Sequence, residues 1–164
     1  MDLKFAAEIH RVGLKVGYFS VKEVIDWTDH LIETMDQPPF ELIDVSLAVN
    51  KHAADVCSKL KLVKGHVEPT LAVRVILALI NRYLIESRDF SKVDFMLSMV
   101  KEIPLGDAHL SNELDWLLEW RFLARVEMIG NLEDVRKDIE GFLEKFSDYE
   151  KYYTYEECFR SDGQ

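Results

Sequence analysis

Residues 69–85 read PTLAVRVILALINRYLI. From Leu71 to Ile85 the chain is apolar on most faces, so a helix here has to be surrounded by other elements; Pro69 supplies a start, since its fixed φ suits the first helical turn. A second stretch, SNELDWLLEWRFLARVEMIG from Ser111 to Gly130, also reads as apolar almost all round. Two such helices require a shell of amphipathic ones, and the flanking sequence supplies it.

On the N-terminal side, a helix is expected from Leu3 to Val16, its end weakened by Gly13 and Gly17. Ser20 with Glu23 forms the S-x-x-E capping pattern. Val24, Trp27, Leu31, Ile32 and Met35 then share one helical face, which Pro38 and Pro39 terminate. A following helix carries Phe40, Ile43 and Leu47 and is expected to continue past Asn50 toward Leu62, with Gly65 marking a turn. On the C-terminal side, Ser91 is expected to cap a helix with Val93, Met96, Leu97 and Val100 inward, ended by Pro104 and Gly106. Gly130 suits a left-handed helix terminus, and Asn131 caps a helix with Val135, Ile139, Phe142 and Leu143 on its inner face. With only seven Gly and four Pro, no linker or repeat period divides the chain. The expectation is an all-α fold: one domain over residues 1–164, a compact bundle of seven or eight helices in antiparallel hairpins, with a docked or flexible tail at 147–164.

Formal net charge is −10. That balance disfavours direct nucleic-acid binding and anionic membranes, and suits a basic protein partner. LAVRVILALI is broken by Arg74 and is too short to span a bilayer. Cys57 and Cys158 belong to no CxxC pair, and the N-terminus lacks a signal-peptide core, so a cytoplasmic protein with reduced thiols is expected.

Asp26, Asp29, His30 and Glu33 share one helical face opposite Val24, Leu31 and Met35. Di-metal carboxylate bundles use Glu-x-x-His pairs on two helices. None occurs here, so the cluster reads as a solvated or partner-binding face rather than a metal centre. His10, His52, His66 and His109 lie in separate segments, and no HExxH, GxSxG, P-loop or GxGxxG occurs. Neither catalysis nor a cofactor is expected. Trp27 belongs to the core by its face, and Trp116 and Trp120, four apart, are expected in the core or in helix–helix contact. Residues 115–164 hold 13 Asp and Glu against 7 Lys and Arg. There FSDYEKYYTYEECF sets Tyr149, Tyr152, Tyr153 and Tyr155 among Asp148, Glu150, Glu156 and Glu157, which suits either a partner-binding surface or a segment docked by its aromatics.

The segment 23–48, EVIDWTDHLIETMDQPPFELIDVSLA, resembles small bacterial immunity proteins that protect a cell from its own polymorphic or contact-dependent growth-inhibition toxin. The likeness rests on Ile25, Trp27 and Asp29, then Pro38 and Pro39, then Glu41, Leu42, Ile43, Asp44, Ser46, Leu47 and Ala48. It implies a non-enzymatic, cytoplasmic inhibitor that binds a cognate toxin domain, commonly a nuclease, and blocks its active site. The expected contact residues are Asp148, Tyr149, Glu150, Tyr152 and Tyr153, or the competing acidic face of Asp26, Asp29 and Glu33. A helical adaptor for a basic protein partner is the reading of another class.

Overall fold

The computed structural model describes residues 2–126 and 130–153, and Pro69 by its backbone only. In these residues the chain forms eight α-helices and a 3₁₀ turn, with no strand: α1 (Leu3–Val16), α2 (Val21–Thr34), α3 (Phe40–Ser46), α4 (Ala53–Lys61), α5 (Pro69–Ser87), α6 (Phe90–Lys101), α7 (Ala108–Arg125), α8 (Leu132–Glu144) and the turn Ser147–Tyr152. The all-α bundle expected from the periodicity is therefore the fold.

α5 is the centre. Val73, Val75, Ile76, Leu77, Leu79, Ile80 and Leu84 are almost wholly buried. α1, α6, α8 and the C-terminal 3₁₀ turn pack directly around it. α4 lies on α1, α3 bridges α2 and α4, and α7 covers α6 and α8. The two arginines within this apolar helix are satisfied in the same way, each by a carboxylate and a tyrosine hydroxyl. Arg74 donates to Asp107 at 3.0 Å and to the Tyr149 hydroxyl at 3.3 Å. Arg82 donates to Glu150 at 2.8 Å and to the Tyr18 hydroxyl at 3.4 Å.

The Ser20–Glu23 capping box forms as expected, each side chain accepting from the other residue's backbone amide. Asn131 caps α8, and Gly130 stands in the left-handed region at φ 72°. Three boundaries differ from expectation. Asp89, not Ser91, caps α6, and α7 starts ahead of Ser111, capped by Asp107. In both places a carboxylate lies upstream of the serine and accepts from the free amides, with its charge complementing the positive end of the helix. The helix after Pro39 stops at Ser46, and the chain turns before α4. This lets Leu42, Val45 and Ala48, and then Val56 and Leu60, all face the body.

Gly13 does not weaken α1. A Cβ there would lie 2.2 Å from the Phe19 ring and 3.1 Å from Ile76, so the glycine lets α1 approach both. α7 is amphipathic rather than apolar all round: Leu110, Leu114, Leu117 and Ala124 are buried, while Trp116 is 57% exposed. Trp120 packs against the core as expected, whereas Trp116 does not. They stack on each other at 6.1 Å, with Trp120 half-buried beneath Gly130.

Replacing Leu79 by Ala should lower unfolding free energy by roughly 2–5 kcal/mol, because the cavity opens where no neighbour can close it. Chemical denaturation measures this, and a wild-type midpoint would remove α5 from the centre.

Candidate functional site

α2 presents two different sides. Inward, Trp27 is buried and lies face to face with the imidazole of His10, ring centroids 3.8 Å apart; Phe19 stacks on the other side of that imidazole at 4.9 Å. Tyr153 closes the cluster, tilted at 5.8 Å to Phe19 and 5.9 Å to His10. Beside these rings is a cleft of about 410 Å³ whose polar margin is Glu23, Asp26 and His30. Asp26 and His30 on α2 thus meet Tyr153, far away in the sequence, at one opening.

His10 is the residue that motif reasoning passed over. Its spacing from Ala6 and Gly13 on the buried side of α1 is the signal that could have found it. Burial drives its pKa down to about 4. Because the Ala6 carbonyl can only accept, Nδ1 carries the proton of a neutral ring and donates at 2.8 Å.

The outward residues of α2 do not converge on a metal site. Asp26 pairs with Lys22, and Asp29 accepts from Ser46 on α3. Among the described residues no group of three or more His, Cys, Asp or Glu is placed to hold a metal. Asp29, Glu33 and Asp36 have no Lys or Arg bridged to them among the described residues. Glu33 lies in the last turn of α2, where no basic residue offsets the negative helix end. On the opposite flank of α3, Glu41 is neutralised by Lys64 at 3.2 Å and Asp44 by Lys59 at 2.6 Å.

α3 and the two residues after it are apolar on two sides. Leu42, Val45 and Ala48 are buried, whereas Phe40 and Leu47 are 74% and 75% exposed, with Ile43 between them at 36%. Offsets of three and seven residues place these three on one outward stripe.

The C-terminal residues separate into two kinds. Asp148 and Tyr152 face solvent. Tyr149 and Glu150 are held by Arg74 and Arg82, and Tyr153 is buried. Three of the five residues expected to make a contact there instead dock the segment on the body, since their rings and carboxylate satisfy α5 and the His10 stack. Tyr155, Glu156, Glu157 and Cys158 lie outside the described residues. Cys57 is half-buried, its Sγ donating to the Arg11 carbonyl at 3.5 Å, and burial pushes its thiol pKa up. No helix among the described residues is long and apolar enough to cross a membrane.

No family model matches the chain, and neither the curated proteins nor the solved structures contain a match to it.

The buried imidazole makes stability depend on pH. The unfolded chain protonates His10 near pH 6.5 and the folded chain only near pH 4. The contribution of the neutral ring is therefore complete above pH 6.5 and declines as pH falls toward 4. By pH 5 the loss should reach about 2 kcal/mol, before most carboxylates begin to titrate. Urea denaturation of wild type and His10→Phe at pH 7.5 and pH 5 reads it; an equal pH dependence in both would show that His10 is not the group responsible.

Proposed function

We propose that this chain is a non-catalytic inhibitor, an immunity protein that sequesters a basic toxin domain, a nuclease in the first instance, on the surface formed by α2 and α3. The supporting observation is the outward stripe of Phe40, Ile43 and Leu47 beside the uncompensated carboxylates of Asp29, Glu33 and Asp36. An apolar centre with a charged margin is the usual anatomy of a protein interface. The sign of the margin selects the partner. A nuclease gathers phosphate with Lys and Arg, so an acidic surface is drawn to the residues that bind its substrate, and docking there covers the catalytic groups. The stripe lies within residues 23–48, the segment that carries the resemblance to immunity proteins. The chain contributes occlusion and charge, and no bond-making chemistry.

Co-expression with the toxin domain encoded beside it should give a stable complex. In that complex, Phe40→Ala and Leu47→Ala should each raise the dissociation rate by roughly tenfold or more while leaving the melting temperature nearly unchanged. Glu33→Lys and Asp36→Lys should lower the association rate and flatten its salt dependence. Surface plasmon resonance separates the two effects. Unaltered kinetics in all four variants would move the interface elsewhere, and selective capture of other basic proteins would favour a general adaptor.

A further inference from the structure

Within a chain of net charge −10, the outer side of α6, α7 and α8 forms a cleft of about 510 Å³ that gathers three guanidinium groups, from Arg121, Arg125 and Arg136. Their existing partners do not satisfy them. Arg121 contacts Asp94 at 2.9 Å, but its Nε is buried and finds no acceptor among the described residues. Arg136 meets Glu133 only at 3.8 Å and lies over the Phe90 ring at 5.2 Å. Arg125 is exposed and makes no ion pair among the described residues. Two carboxylates, Asp94 and the more distant Glu133, against three guanidinium groups leave about one net positive charge for a ligand, by simple charge balance. Repulsion between guanidinium groups collected in one cleft favours an anion that bridges them.

The cleft also offers a ring surface. Phe95 rests against Gly17, whose left-handed backbone would place a Cβ 3.1 Å from the ring, and still leaves Phe95 57% exposed. Phe95 lines the cleft together with Phe90. The volume falls within the usual range for small-molecule sites, about 300–1,000 Å³.

We propose that this cleft binds a phosphate monoester attached to a flat ring, the chemistry of a nucleoside monophosphate, with the dianionic phosphate between Arg125, Arg136 and Arg121 and the ring against Phe95. The site is built from α6, α7 and α8 and shares no residue with the α2 and α3 surface, so it is independent of the inhibitor reading.

Isothermal titration of the full chain with adenosine 5′-monophosphate, adenosine and inorganic phosphate, each at one ionic strength, tests it. The monophosphate should bind with unit stoichiometry, and adenosine and phosphate each at least roughly tenfold more weakly, since each lacks one of the two contacts. Arg125→Ala should weaken binding by about tenfold or more, consistent with loss of a charge-assisted hydrogen bond. Phe95→Ala should weaken the monophosphate but not inorganic phosphate. Lys137→Ala, a charge change on α8 away from the cleft lining, should leave binding unchanged. Absence of heat with the monophosphate, equal binding by inorganic phosphate, or undiminished binding in Arg125→Ala would each overturn the proposal.

Discussion

α5 is buried along nearly its whole length, and its two arginines must still be satisfied. A guanidinium that loses its partners in a half-buried setting costs about 1–3 kcal/mol. Arg74 and Arg82 therefore recruit groups from three directions: Asp107 at the start of α7, Tyr18 after α1, and Tyr149 and Glu150 in the C-terminal turn. Asp107 serves twice, because it also accepts from the His109 and Leu110 amides. The Leu110 amide and Arg74 together hold its carboxyl below the usual range. The same few bonds thus fix the entry to α7 and the position of the Ser147–Tyr152 turn.

That constraint explains what was legible in the sequence. The apolar run from Leu71 to Ile85 announced a central helix because it is apolar on most faces. The Ser20–Glu23 box, Gly130 and Asn131 announced helix ends because each supplies a local hydrogen-bond or backbone requirement. What could not be read was set by tertiary contacts. Gly13 looks like a helix breaker until Phe19 is seen against it. Tyr149, Glu150 and Tyr153 look like a free acidic and aromatic surface until Arg74, Arg82 and His10 are placed opposite them. Ser91 lost to Asp89, a competition that spacing alone leaves open.

The candidate surface was half legible. The acidic face of α2 follows from offsets of three and four, but its meaning depends on which carboxylates are neutralised. Lys22 takes Asp26, whereas Glu33 and Asp36 remain without a bridged cation among the described residues. The outward stripe on α3 was hidden because Phe40, Ile43 and Leu47 resemble core residues in type. Only the burial of Leu42 and Val45 on the opposite side shows that the helix is apolar twice over.

A surface kept for a partner is not one optimised for the free protein. Glu33 at the negative end of α2, with Asp36 just beyond, repels the helix dipole and its neighbours. The most direct measurement is the unfolding free energy of the isolated Glu33→Lys/Asp36→Lys variant at low salt. If these carboxylates are held for a basic partner, the variant should be more stable than wild type by about 0.3–1 kcal/mol per site, and less so as salt rises. A variant less stable than wild type would mean that the carboxylates support the fold itself, and would contradict the assignment of α2 and α3 as the binding surface.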